Sequence, residues 1–124
     1  MLRPAARVDE GFMTAHDRIA KERVGSNEAM FRRVNESVEW DYSETEYAGL
    51  IGFLCECGDL NCEESIELTR SEYESVRKSP RRFAVLADHV ARHTEDIVER
   101  HQRYAVVEKH DDVAHIAERS DPRR

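Results

Sequence analysis

Apolar positions recur along this chain first with the period of a helix and then with the alternation of strands. Residues 1–13 show neither pattern and read as a loose lead-in. A helix is predicted over roughly 14–24, with Ile19 and Val24 as its strong apolar residues. Gly25-Ser26-Asn27 interrupts it, and Ser26 or Asn27 can cap a second helix. The two segments can equally form one helix bent at Gly25. Further on, Phe31, Val34 and Val38 fall at i, i+3 and i+7, an apolar stripe widened by Met30. That stripe is expected to face the core, with Arg32, Arg33, Glu36 and Glu39 toward water. Trp40 and Tyr42 close the segment, and 41–46 is a polar connector.

The remainder is mostly extended. Leu50 to Cys57 reads as a strand ended by Gly58-Asp59, with Phe53, Cys55 and Cys57 on one face. Ser65 to Leu68 reads as the returning strand. Thr69 and Glu72 form a capping box for a short helix that packs Tyr73 and Val76 inward and stops before Pro80. Arg82 to Leu86 is a third strand, followed by a turn at Ala87-Asp88-His89. A hairpin is expected from Asp96–Arg100, a turn at 101–103, and Tyr104–Lys109, whose second arm is β-branched and aromatic. A helix over 112–119 and a polar, flexible tail at 120–124 complete the chain. The fold class is therefore α+β in one domain, 14–119: an N-terminal helix or helix pair, then a small antiparallel sheet with one inserted helix.

The cysteines add a constraint. All three, Cys55, Cys57 and Cys62, lie within eight residues. Two thiols from one strand and a third returning past Gly58 supply three ligands of a zinc shell. A histidine, a carboxylate or water must supply the fourth. His89 is the first choice because it sits in a turn after a strand; His93 is second and His101 third. A closed Cys3His shell is structural, and such binding contributes on the order of 10–16 kcal/mol in small zinc modules. A clamp of this size suits a chain with 36% charged and 40% hydrophobic residues. Two other readings use the same thiols: a redox sensor that releases zinc on oxidation, and a zinc enzyme with an open fourth position.

Net charge is −7, spread evenly as −3 over residues 1–50 and −4 over 51–124. With the acidity evenly spread and no basic tail, general nucleic-acid binding is disfavoured. Arg77, Lys78, Arg81 and Arg82 form a small basic knot that reads chiefly as solvated surface, and as a phosphate or acidic-partner contact only secondarily. Glu56, Asp59, Glu63, Glu64 and Glu67 read as the solvated rim of the cysteine hairpin. No run of about 18 apolar residues spans a membrane. The absence of an apolar leader and the odd cysteine count point to the cytoplasm. No phosphate loop, dinucleotide fingerprint or nucleophile elbow is present.

The pattern resembles a family of small bacterial proteins of high-GC (actinobacterial) type. The likeness rests on Asn27-Glu28-x-x-Phe31-Arg32-x-Val34-Asn35-Glu36, Cys55-Glu56-Cys57-x4-Cys62, Ile66-x-Leu68-Thr69-x-x-Glu72-Tyr73-x-x-Val76-Arg77, Phe83-x-Val85-x-x-x-His89 and Tyr104-x-Val106-Val107-Glu108-Lys109. It implies His89 as the fourth ligand, although Ala87-Asp88 stands where the family pattern has Pro-Gly. The resemblance carries no activity with it. The expected function is a small zinc-binding regulatory or protein-interaction module without enzymatic activity, with a protein partner seated between the Phe31–Val38 helix and the sheet.

Overall fold

The computed structural model describes residues 15–90 and 94–123. The lead-in at 1–13 and His93 lie outside them. A 28-residue helix, α1 (Ala15–Tyr42), precedes the hairpin strands β1 (Leu50–Leu54) and β2 (Ser65–Thr69). The short helix α2 (Arg70–Val76) leads to β3 (Arg82–Val85) and a single 3-10 turn, Ala87–His89. The strands β4 (Glu95–Arg100) and β5 (Ala105–Lys109) and the helix α3 (Asp111–Arg119) follow. The architecture is α+β. No helix among the described residues is long and apolar enough to cross a membrane.

Strand pairing is antiparallel throughout but divides into two ladders. One is β1–β2, with Leu50 opposite Thr69 and Leu54 opposite Ser65. The other is β3-β5-β4, with Phe83 opposite Val107 and Glu95 opposite Lys109. The two ladders meet at Glu56. Its N–H donates to the Ala84 carbonyl at 2.9 Å, and its carboxylate accepts the Ala84 N–H at 2.9 Å. This crossing explains why β1 ends at Leu54 rather than continuing to Cys57: beyond Cys55, whose N–H still reaches Glu64, the chain turns from β2 to β3.

The apolar core is built from the faces that alternation assigns inward: Ile51, Phe53, Ile66 and Leu68 from the first ladder, Phe83, Val85 and Val107 from the second. Tyr73 of α2 stacks on Phe53, with ring centroids 4.4 Å apart. The helix α2 starts where the capping box places it, with Thr69 Oγ1 accepting the Glu72 N–H and the Glu72 carboxylate accepting the Thr69 N–H. Val113, Ala114 and Ala117 of α3 are buried as well.

The helix α1 takes the single-helix alternative and departs from the two-helix one and from the expected face. It is continuous through Gly25-Ser26-Asn27, so neither Ser26 nor Asn27 caps a second helix. Gly25 is there for proximity: a Cβ on it would lie 3.0 Å from Cγ2 of Ile116 in α3. A helical glycine costs about 1 kcal/mol relative to alanine, and the close helix–helix approach offsets it. The second departure is the face that α1 buries. Glu28, Ala29, Arg32, Asn35 and Glu39 are buried, whereas Met30 and Val34 are 45% and 44% exposed. The helix is thus rotated away from the expected Phe31–Val34–Val38 seam; Val38 packs at its edge and Val34 faces water.

The basic knot is also dispersed. Arg77 is buried and pairs with Glu36 and Asp121, Arg81 pairs with Glu118, and Arg82 with Glu108. The tail expected at 120–124 is held down over 120–123. Ser120 caps α3, Asp121 is buried against Arg77, and Arg123 bonds to both Glu36 and Glu74. Opposite charges distant in sequence, invisible to local periodicity, fix this end of the chain.

Candidate metal centre

Cys55, Cys57, Cys62 and His89 come together, with their four donor atoms all within 4.8 Å of one another. Nδ1 of His89 lies 3.5 Å from Sγ of Cys55 and 3.5 Å from Sγ of Cys62. In a tetrahedral shell with Zn–S of about 2.3 Å and Zn–N of about 2.0–2.1 Å, a sulfur–nitrogen edge is about 3.6 Å. The observed separations match that edge.

Local structure places each ligand. After β1 the chain passes through Cys55 and Cys57 to Gly58, which has φ of +82°, the left-handed region that glycine tolerates. A side chain at Gly58 would also strike α1, since its Cβ would lie 2.7 Å from Cγ of Glu28 and 3.0 Å from the Val24 carbonyl. The bend beyond it is fixed by the Asp59 side chain, which accepts the Asn61 N–H at 2.9 Å, and by the Cys62 N–H, which donates to the Asp59 carbonyl at 2.9 Å. This returns Cys62 to the other thiols. On the opposite side, the turn after β3 contributes twice: the Leu86 N–H donates to Sγ of Cys55 at 3.2 Å, and His89 swings its ring over the cluster. The Asp59 N–H donates in the same way to the Cys57 sulfur.

Electrostatics show what the site lacks as a set of bare thiols. Burial pushes the Cys55 thiol up, and the adjacent Cys57 and Cys62 push it further, against the pull of the Leu86 N–H. Burial raises Cys57 as well. Buried, Cys55 and Cys57 favour the protonated form; a divalent cation between them reverses this, because thiolate is the ligand form. A metal bound at Nδ1 would leave the proton of the neutral ring on Nε2. The Asp88 carboxylate stands 3.8 Å from that nitrogen, an electrostatic neighbour beyond hydrogen-bond reach.

Of the other histidines considered, His101 stacks on Tyr104 at the β4–β5 turn and bonds to Glu99, and it is not in the cluster. Asp59, Glu63, Glu64 and Glu67 are exposed, as a solvated rim should be. Glu56 is not. Its side chain is fully buried between the two thiols of its own segment and the body of the protein, and it accepts hydrogen bonds from Asn35 Nδ2 (2.9 Å), the Tyr73 hydroxyl (3.0 Å) and the Ala84 N–H (2.9 Å). Burial raises its pKa in spite of these donors. Its place between Cys55 and Cys57 was the available signal: where alternate residues face the metal, the one between faces the opposite side and must itself be accommodated. No protein-family model matches the chain, and neither a curated protein nor a solved structure matches it.

Proposed function

We propose that this protein is a small, non-enzymatic zinc module of the cytoplasm with a regulatory or protein-interaction role, in which Cys55, Cys57, Cys62 and His89 hold the ion as a structural centre. The observation that carries the reading is the pair of 3.5 Å sulfur–nitrogen separations within a donor set that converges to 4.8 Å. Three thiolates with one imidazole suit zinc, whereas iron–sulfur clusters are usually held by four thiolates. Four protein ligands complete a tetrahedral shell and leave no position for a substrate, which supports a structural ion over a catalytic one. Burial of Cys55 and Cys57 supports the same choice. A partner-facing role draws its support from Leu60 at the tip of the knuckle, 63% exposed, and from Met30, Val34 and Trp40 on the open side of α1.

Elemental analysis of the purified chain should find one zinc per molecule. His89→Ala should weaken retention more than about 100-fold in a competition assay with a chromophoric chelator, since even residues that only orient a ligand cost 10–100-fold. A chain that takes up no zinc defeats the reading. Undiminished retention in His89→Ala replaces the closed shell with one completed by water.

A further inference from the structure

The long helix is attached to the rest of the molecule in an unusual way. Of its described side chains only one apolar residue, Ala29, is buried, with Val38 and Tyr42 packed partly against the core. A helix normally docks by burying an apolar face, so over 23–42 α1 holds largely by other means. Beside the pairings of Glu28 with Lys109, Arg32 with the Pro80 and Ala117 carbonyls, Glu36 with Arg77 and Glu39 with Arg70, part of what holds it is the segment that carries two of the ligands. Asn35 donates to the Leu54 carbonyl (2.9 Å) and to Glu56 (2.9 Å), and its side-chain oxygen accepts the Leu54 N–H (2.8 Å). Asn27 donates to the Gly58 carbonyl at 2.9 Å, and Gly58 itself lies against Val24 and Glu28. Every one of these contacts requires residues 54–58 to keep their present path, and Cys55 and Cys57 lie within that span.

We propose that the metal centre is the latch of α1, so that the occupancy of the site sets whether the helix is docked. This rests on the zinc reading above. Ion binding fixes Cys55 and Cys57 against Cys62 and His89, and with them the carbonyls, amide and carboxylate to which Asn27 and Asn35 bond. When the ion leaves, the buried Cys55 and Cys57 and the half-buried Cys62 have no common partner and the knuckle relaxes. The hydrogen bonds of α1 to residues 54–58 are then lost together, because they are directional and tolerate little displacement. The β3-β5-β4 ladder has its own apolar packing in Phe83, Val85 and Val107 and keeps it. The protein thereby converts the availability of a transition metal into the loosening of one helix where it crosses the knuckle.

Hydrogen exchange read by mass spectrometry on the full chain, zinc-loaded and then stripped by a chelator, tests this. Metal content is measured on the same samples. The expected result is at least about tenfold faster exchange across 24–42 after stripping, while 105–109 keeps its protection. Asn35→Ala should still bind one zinc, yet show the fast α1 exchange with the metal in place. Unchanged α1 protection in the stripped protein overturns the proposal. So does simultaneous loss of protection in α1 and β5, which would make the ion a clamp on the whole fold. In both cases the zinc reading survives; a chain that binds no zinc removes both.

Discussion

Two residues of β5 show how differently the two sides of this molecule are held. Val107 and Lys109 stand two apart on one strand, on one face, and both are fully buried. Val107 sits among apolar neighbours in the three-stranded ladder. The Lys109 ammonium lies between Glu28 of α1 and Glu95 of β4, paired with both, and close to the Phe83 ring. The α1 side continues in this polar manner. Arg32 donates to the carbonyls of Pro80 and Ala117, both at 2.7 Å, while its guanidinium rests on Phe83. Apolar packing tolerates small shifts at modest loss, whereas a buried charge that loses its partner costs several kcal/mol. One side is therefore forgiving and the other is all-or-none.

Removal of the ammonium is the severest way to break the polar side. Lys109→Met leaves Glu28 and Glu95 without their shared counter-charge and should cost about 3–5 kcal/mol in urea unfolding at pH 8.

The polar side should also respond to pH where the apolar side does not. Burial raises the Glu28 carboxyl to about 8, with Glu95 and Glu56 adding to it and Lys109 opposing. The folded state then holds a proton that the unfolded state has released above its ordinary value near 4.5. Stability should accordingly fall as pH rises from about 4.5 to about 8, by at most about 1.4 kcal/mol per pH unit from this group. Glu28→Gln should flatten the slope. Measurement between about pH 6 and 8 with zinc in excess keeps the ligands bound. An unaltered slope in the variant would assign the effect elsewhere.

On the apolar side, Val107→Ala should cost about 2 kcal/mol through lost burial and the space left behind. The cost should be the same at pH 6 and 8, and the same with and without zinc. A pH-dependent loss would erase the distinction between the two sides. The smallest effect is expected at the α2 cap: Thr69→Ala should lower stability by about 1 kcal/mol, by removing the acceptor for the Glu72 N–H.

This contrast also sets what the sequence discloses. Strand alternation, the Thr69–Glu72 box, the stop before Pro80 and the hairpin ending in Tyr104–Lys109 are local signals, and the structure follows them. The cysteine cluster was equally visible, and the turn after β3 pointed to His89. The face of α1 was not legible by the rule that the buried stripe is apolar. Glu28, Arg32, Asn35 and Glu39 follow one another at intervals of 4, 3 and 4, a helical stripe as regular as Phe31–Val34–Val38. Which stripe is buried depends on partners far along the chain: Lys109 for Glu28, the Ala117 carbonyl for Arg32, Leu54 and Glu56 for Asn35 and Arg70 for Glu39. Glu56 escapes local reading for the same reason, because a carboxylate is accepted inside only where donors happen to converge.

The Asn35 contact with Leu54 bears on how reproducibly the long helix can be seated. A greasy surface offers many nearly equivalent positions, one turn forward or back. An amide that meets both the N–H and the C=O of a single residue admits one position only. A helix with such a key, if it ever departs, can come home to a single address.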